Sequence, residues 1–405
     1  MYKTPIPYGK QNITQEDVTA VVEALRSDYL TQGPIIKEFE VSFANYVGSK
    51  YAVAVCNGTA ALHLCALALG VKNGQKVITT PITFAASANC IRYCDGEVVF
   101  SDIDSSTLLL DLEKVKALIN SSPKGTYAGI IPVDFAGRPV NLEALRSICA
   151  ENNMWIIEDA CHAPGAWFKD STGEKHSAGN GKYADLAIFS FHPVKHIASG
   201  EGGMITTNDE ALYEKLLMLR THGITREKDK FQNSIAFAAG TEEHHNEYPS
   251  WYMEMQELGF NYRITDIQAA LGLTQLNRAD AGLQRRKAIA LKYDQAFKNI
   301  PQIVSPQLEI TGDESFSHAY HLYIIQVENR LEMYNELRKK NIFAQIHYIP
   351  VHLMPYYQNL GWKVGDMPFA EAYYKKCLSI PMYPTLTDAE QEYVIETILS
   401  LIDKA

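Results

Sequence analysis

Short apolar runs alternate with amphipathic stretches between residues 51 and 191, and this alternation constrains the fold more than any other feature of the chain. The runs predicted as strands are residues 51–56, 76–80, 98–103, 129–135, 155–158 and 186–191. Helices are predicted between them over residues 60–69, 83–93 and 141–152. This order is typical of an α/β fold, in which helices cover both faces of a mostly parallel sheet. Ligands of such sheets bind beyond the carboxyl ends of the strands.

The 405 residues are too many for one simple core, so we predict a large domain over 1–280 and a smaller α+β domain over 281–405. A long helix over 264–297, with a break near 279–282, is predicted to lead from one to the other. The remaining predicted elements are helices 14–27, 36–46, 331–340 and 388–403, and strand 321–327.

Composition and charge exclude several classes of function. The formal net charge of -10 argues against a nucleic-acid partner. No apolar run reaches the length of a membrane span, and the first residues have no signal-peptide core. The seven cysteines are scattered, which is typical of reduced thiols in a cytoplasmic protein. The polar stretch 225–249 contains His244 and His245 but no third ligand at a fitting spacing, so we predict no metal site.

Lys195 follows the apolar run 186–191 and a turn at His192-Pro193, within a segment of small residues. A lysine held beside a buried strand is partly desolvated, which lowers its pKa toward the range of a nucleophile or a proton carrier. The alternative is a solvated surface lysine, which is the usual state of this residue.

Other candidate residues also follow predicted strands. Gly58 and Thr59 open a helix, where backbone N–H groups and a hydroxyl bind anions, although a plain helix cap is the alternative. Asp159 is either a turn former or a partner for a cofactor ring nitrogen. Ser190 ends the strand that leads to Lys195. Phe84 could stack on a ring or belong to the core.

A lysine, an acid at a strand end and hydroxyls near anion-binding turns are the set that pyridoxal 5'-phosphate (PLP) requires. The lysine joins the cofactor covalently, the carboxylate keeps the pyridine nitrogen protonated, and N–H and hydroxyl donors bind the phosphate.

Eight segments then carry a resemblance to a known family. They are LTQGP (30–34), NGTAAL (57–62), TTPITFAASAN (79–89), EDACHAPGA (158–166), SFHPVKHIASGEGGMITTND (190–209), LRTHG (219–223), LGFNYRITDIQAALGLTQL (258–276) and AQIHYIPVHLMPYY (344–357). In these segments and their order, the chain resembles the DegT/DnrJ/EryC1/StrS family of PLP-dependent sugar aminotransferases. The resemblance implies the PLP-dependent transferase fold type I.

The resemblance also implies a role for each matching residue. Lys195 matches the lysine that holds the cofactor and shuttles the proton. Asp159 matches the partner of the pyridine nitrogen, and His162 lies beside the ring. The remaining cofactor positions are Gly58, Thr59 and Ser190 at the phosphate and Phe84 over the ring face. Asn261 matches an asparagine that reaches the cofactor of the neighbouring subunit, which implies a homodimer with shared sites.

The same resemblance implies a sugar-nucleotide pocket. The matching positions are Tyr8, Asp28, Tyr29, Leu30, Thr31, His347, Tyr348, Ile349 and Pro350. On pattern alone, the loop at 28–31 is equally well explained as a connector between two helices.

Stretches 251–263 and 347–350 are similar to family members that act in pseudaminic acid synthesis. The implied reaction moves an amino group, from glutamate, to C4 of a 4-keto-6-deoxy UDP-N-acetylhexosamine. The alternatives are another UDP- or dTDP-keto sugar, or a PLP-binding protein with a regulatory role. Family members that dehydrate sugars have histidine in place of the lysine, so Lys195 favours amino transfer.

Overall fold

A computed structural model describes residues 4–241, 245–307 and 314–402 of the chain. Its strands are β1 (Ile6–Pro7), β2 (Tyr51–Val55), β3 (Lys76–Thr79), β4 (Glu97–Phe100), β5 (Tyr127–Ile131), β6 (Trp155–Asp159), β7 (Trp167–Lys169), β8 (Lys175–Ser177), β9 (Leu186–Ser190), β10 (Gly203–Thr207), β11 (Ile224–Thr225), β12 (Glu254–Met255), β13 (Phe316–Ser317), β14 (Tyr323–Gln326), β15 (Ile342–Phe343) and β16 (Cys377–Ile380). Its α-helices are α1 (Gln15–Arg26), α2 (Pro34–Val47), α3 (Gly58–Ala68), α4 (Ala86–Tyr93), α5 (Leu112–Asn120), α6 (Leu142–Glu151), α7 (Glu210–Arg220), α8 (Ile235–Ala239), α9 (Asp266–Asn277), α10 (Ala279–Phe297), α11 (Arg330–Lys339), α12 (Pro355–Gln358), α13 (Pro368–Lys376) and α14 (Asp388–Ile402).

The central sheet has the strand order β2-β10-β9-β6-β5-β3-β4. Strand β10 runs antiparallel to both of its neighbours, whereas the other pairings in the sheet are parallel. The predicted α/β class with a mostly parallel sheet is therefore confirmed. All six strands predicted between residues 51 and 191 belong to this sheet, and β10 is the strand that the sequence pattern did not predict.

Burial explains the apolar character of these strands. Both faces of the sheet are covered by helices, so consecutive residues of β9 and β10 are buried rather than alternating between core and solvent. Helix α3 is apolar on almost every side, because it lies between the sheet, α4 and α7. The carboxyl ends of β3, β6 and β9 therefore open at one edge of a rigid platform, where Thr79, Asp159 and Ser190 end their strands.

The predicted long helix over 264–297 is two helices, α9 and α10. The break falls at Arg278, one residue before the predicted region, where the backbone leaves the helical conformation. The guanidinium of Arg278 donates to both carboxylate oxygens of the fully buried Asp17, at 3.0 and 2.7 Å. This pair joins α1 to the end of α9.

A second apolar cluster lies in the C-terminal part of the chain. Strands β14 and β16 form an antiparallel pair, and α10, α11 and α14 supply the surrounding apolar residues. Ile6 is the one described member of this cluster that precedes residue 289, and β1 pairs in parallel with β15. The domain boundary at residue 280 remains a prediction, with the N-terminal strand attached to the C-terminal cluster.

The polar stretch 225–249 contains short elements, including α8, rather than irregular chain throughout. His245 is exposed, and His244 lies outside the described residues. Elsewhere, Asp170, Glu174 and His176 lie close enough to share a cation, but Oδ2 of Asp170 already accepts hydrogen bonds from His176 and Tyr183. In the part of the chain that the structure describes, no helix combines the length and the apolar character that crossing a membrane requires.

Candidate active site

Lys195 is positioned by the turn that follows β9. Its backbone N–H donates to the carbonyl of His192 at 2.8 Å, and Nζ lies 3.5 Å from Nε2 of His321. Burial of the side chain lowers the pKa of Lys195 from its ordinary value, and the thiol of Cys161 and the carboxylate of Asp159 oppose this shift. His321 lies just before β14, and the sequence around it did not indicate a site residue.

Asp159 is the last residue of β6, and its carboxylate is buried. Oδ2 accepts a hydrogen bond of 2.7 Å from the hydroxyl of Ser87, and Oδ1 accepts one of 3.2 Å from the backbone N–H of Cys161. A buried carboxylate with two fixed donors is oriented, and it retains lone pairs for a further N–H group. Ser87 was also not predicted from the sequence.

His162 contacts residues from the large N-terminal part of the chain and from its C-terminal part. Nδ1 accepts a hydrogen bond from the backbone N–H of Ala136 at 3.3 Å, so Nε2 carries the proton that faces the hydroxyl of Tyr348 at 3.2 Å. The ring centroids of His162 and His321 are 4.3 Å apart. Burial, and then the charge of Lys195, hold the pKa of His162 well below its ordinary value. His162 is therefore neutral at pH 7.

Gly58, Thr59 and Ser190 meet where α3 begins beside the end of β9. A Cβ atom added at Gly58 would lie 3.1 Å from Cβ of Ser190, so a larger residue here would crowd Ser190. Asn57 caps the helix by accepting from the N–H of Ala60 at 2.8 Å. The capping role therefore belongs to Asn57, and the start of α3 presents N–H groups next to two hydroxyl side chains.

Phe84 lies at the same edge of the sheet. Its side chain is 64% exposed, so it is not part of the core, and its ring centroid is 6.4 Å from that of Tyr348. It therefore presents an exposed aromatic ring beside Tyr348, and its stacking on a cofactor ring stays a prediction.

The segment His347–Pro350 approaches this edge from the C-terminal part of the chain. Nδ1 of His347 lies 2.9 Å from the hydroxyl of Ser379, and its ring packs 5.0 Å from that of Tyr8. The next residue, Val351, donates its N–H to the carbonyl of Pro81 at 2.9 Å. Ring contacts and hydrogen bonds thus join His162 to Tyr348, His347 and Tyr8. Of the remaining two residues in this segment, Ile349 is exposed and Pro350 is buried.

The loop at 28–31 and Asn261 form a separate group. The carbonyl of Leu30 accepts from the N–H of Asp266, Thr31 pairs with Thr265, and Asn261 pairs with Thr221. Asp28, Tyr29, Leu30 and Asn261 are exposed. Within the described residues, no hydrogen bond or ring contact joins this group to Lys195, Asp159 or His162. The predicted positions therefore fall into two clusters in one copy of the chain.

The sequence of the chain matches a known family almost from end to end. The model of the DegT/DnrJ/EryC1/StrS aminotransferase family aligns with residues 11–399. The chain belongs to this family. It is therefore a PLP-dependent sugar aminotransferase, and the expected fold type, enzyme class and cofactor are confirmed.

Individual relatives cover the whole length as well. The spore coat polysaccharide biosynthesis protein SpsC of Bacillus subtilis is 37% identical over 408 residues, which are 99% of this chain and 98% of that protein. The UDP-4-amino-4,6-dideoxy-N-acetyl-beta-L-altrosamine transaminase of Campylobacter jejuni is 33% identical over 401 residues, 98% of each chain. The PLP form of Spr1654 from Streptococcus pneumoniae superposes with a TM-score of 0.86 at 29% identity, and 99% of each chain is covered.

The donor set of the site fits PLP. Lys195 offers an amine of lowered pKa, Asp159 a buried carboxylate, and the α3 start an opening that a Cβ at Gly58 would fill. These three groups match the aldehyde, the ring nitrogen and the phosphate of the cofactor in chemical kind.

Proposed function

We propose that the enzyme transfers the amino group of glutamate to C4 of a 4-keto-6-deoxy UDP-N-acetylhexosamine. The product is UDP-4-amino-4,6-dideoxy-N-acetyl-beta-L-altrosamine, a precursor of pseudaminic acid. The family membership supplies the aminotransferase chemistry, and the 33% identical transaminase of that name supports this sugar. The observation that carries the proposal is the cluster in which Lys195 lies within reach of His321, beside Asp159 and His162.

When bound, PLP supplies an aldehyde that joins to amines and a protonated ring that accepts electrons. Lys195 would hold the cofactor at that aldehyde, and its free amine would carry a proton between the reacting carbon atoms. Its lowered pKa increases the fraction of free amine. Asp159 would hold a proton on the ring nitrogen through a charge-assisted hydrogen bond.

The other cofactor residues bind and orient. The N–H groups at the start of α3, with the hydroxyls of Thr59 and Ser190, would donate hydrogen bonds to the phosphate. Phe84 would cover one face of the ring. Neutral His162 would add no positive charge that competes with the ring proton.

The second cluster supports a shared site in a homodimer. Asn261 and the loop at 28–31 are exposed, and no hydrogen bond or ring contact within the described residues joins them to Lys195 of their own subunit. In the same region, the large apolar side chains of Trp251, Met255 and Leu258 are also exposed. Such a patch is typical of a surface that a partner covers. We propose that Asn261 reaches the cofactor phosphate of the partner subunit and that the loop closes the partner's sugar pocket.

The 37% identity to SpsC favours one alternative, an aminotransferase that acts on a different keto sugar of a surface polysaccharide pathway. A panel of 4-keto UDP-sugars and dTDP-sugars, each incubated with the enzyme, PLP and glutamate, separates the two. We expect mass spectrometry to show an amino product only from the 4-keto-6-deoxy UDP-N-acetylhexosamine whose amination gives the L-altro product. A faster reaction with a dTDP-sugar would refute the proposed substrate and leave the aminotransferase assignment intact.

A further inference from the structure

Two buried hydroxyls stand in line behind the carboxylate of Asp159. The hydroxyl of Ser87 donates to Oδ2 at 2.7 Å, and the side-chain oxygens of Thr83 and Ser87 are 2.8 Å apart. Thr83, Ser87 and Asp159 are 2%, 1% and 4% exposed, so water does not compete for these bonds. A carboxylate only accepts, which commits the single proton of Ser87 to Asp159. The proton of Thr83 must then point at the oxygen of Ser87.

This line of hydroxyls does not arise from local structure. Ser87 lies in the first turn of α4, where a serine normally bonds to a nearby backbone group. Its contact with the carbonyl of Phe84 is long, at 3.5 Å, whereas the short bond reaches a residue 72 positions further along the chain. Thr83 lies in the turn that leads from β3 into α4. The two hydroxyls therefore connect the end of β3 to the end of β6, across the intervening strand β5.

We propose that Ser87, supported by Thr83, is a positioning residue that fixes the carboxylate plane of Asp159 toward the cofactor ring nitrogen. The inference rests on the role proposed above for Asp159. Hydrogen bonds from fixed donors favour the charged form of a carboxylate, and donors arranged in a chain polarise one another. Together with the N–H of Cys161 on Oδ1, the Ser87 hydroxyl leaves the carboxylate no free rotation.

The test uses the full-length enzyme loaded with PLP. The variants are Ser87→Ala, Ser87→Thr, Thr83→Val, Asp159→Asn and the double variant Ser87→Ala/Asp159→Asn. Ser305→Ala is the matched control, because it also removes a buried serine hydroxyl, which bonds to Gln307 in the C-terminal part of the chain. Three quantities are measured: the rate of the glutamate half-reaction, the pH midpoint of the cofactor absorbance, and the melting temperature.

We expect Ser87→Ala to slow the glutamate half-reaction by roughly 10- to 100-fold, the loss that follows from deleting a hydrogen bond to a charged group. Its absorbance midpoint should move in the same direction as that of Asp159→Asn, but by less. Ser87→Thr keeps the hydroxyl and should recover most of the rate. Thr83→Val keeps the shape and should show the smallest loss, because it acts only through Ser87.

The double variant decides whether Ser87 acts through Asp159. If it does, the double variant is no slower than Asp159→Asn alone, because the bond is already without its charged acceptor. The inference is overturned if the rate losses of the two single variants add in the double variant. It is also overturned if the melting temperature of Ser87→Ala falls with the rate while the pH midpoint of the absorbance stays fixed. If Asp159→Asn slows the half-reaction and Ser87→Ala leaves its rate unchanged, the role of Ser87 is refuted and the role of Asp159 stands. Normal rates in both would refute the role of Asp159 itself.

Discussion

Asp266 is the residue through which the structure best tests the loop at 28–31. It is fully buried at the first position of α9. Its Oδ2 accepts from the N–H of Gly33 at 2.8 Å, its Oδ1 accepts from the N–H of Ile35 at 3.1 Å, and its own N–H donates to the carbonyl of Leu30 at 3.0 Å. The carboxylate of Asp266 therefore fixes the residues that directly follow the loop that we assign to sugar binding, and its backbone N–H fixes Leu30 within that loop.

The Asp266→Asn variant removes part of this attachment without changing its size. A hydrogen bond to a charged group contributes about 1.5–3 kcal/mol. The asparagine keeps one oxygen acceptor but turns an NH₂ group toward the other backbone N–H, so one bond is lost and one is weakened. The ordered conformation of the loop is then less stable by about 2–3 kcal/mol. This corresponds to a loss of up to roughly 100-fold in the fraction of enzyme whose loop is ordered for sugar binding.

Single-turnover measurements separate the two half-reactions. In the variant, we expect kcat/KM for the keto sugar nucleotide to fall by roughly 10- to 100-fold, while the glutamate half-reaction changes by less than about threefold. The control is Asp209→Asn, the same substitution at the N-cap of α7, where Oδ1 accepts from the N–H of Leu212 at 3.0 Å. Equal losses in both half-reactions, or an unchanged sugar reaction, would refute the role of the loop.

Three further predictions concern the cofactor, the dimer and the fold. Lys195→Ala should lose amino transfer and covalent attachment of PLP, and steady turnover without an added amine would contradict this. Mixing Lys195→Ala and Asn261→Ala homodimers should restore activity, because each heterodimer then has one intact site of two; with random exchange half of the dimers are mixed, which gives about a quarter of the wild-type rate. No gain after exchange is verified by mass would place Asn261 in its own subunit's site. Asp17→Asn should lower the free energy of unfolding at pH 7 by about 2–4 kcal/mol, as measured in urea. Burial alone would raise the pKa of Asp17, but hydrogen bonds from Arg278 and Thr274 outweigh it and lower that pKa. The contribution is therefore lost as pH falls below about 4, and identical acid profiles of variant and wild type would contradict it.

The parallel strands could be predicted because both faces of the sheet are buried, which requires a continuous run of apolar residues in each strand. Strand β10 escaped prediction because its apolar residues are only Met204 and Ile205, between glycine and threonines. The two threonines are nevertheless buried, and their hydroxyls bond to the carbonyls of Gly179 and Asp185. A polar residue satisfied by a distant carbonyl has no local signal in the sequence.

The same contrast, between a local sequence pattern and a contact with a distant residue, separates the site residues that could be predicted from those that could not. Asp159 and Ser190 end strands of one sheet, and Gly58 and Lys195 come shortly after strands of the same sheet. Strands that run in the same direction bring such positions to a common edge. The order of strands and turns in the sequence is therefore enough to group them. Ser87 could not be found in this way, because its role depends on a bond to a carboxylate 72 residues away rather than on its own helix.

His321 is a second residue without a local signal, and it contributes to the electrostatics of the site. Burial lowers its pKa well below the ordinary value, and the charge of Lys195, 3.5 Å from Nε2, lowers it further. His162 and His196 are held neutral by burial as well. Three neutral imidazoles therefore surround Lys195, so the shift of the lysine pKa arises chiefly from its own desolvation. A protonated ring at any of these positions would repel the ammonium form and would oppose the pyridinium that Asp159 is proposed to stabilise. The charged group that does act on these residues from outside the cluster is the buried guanidinium of Arg286, which lowers the pKa values of Lys195, His196 and His321 further.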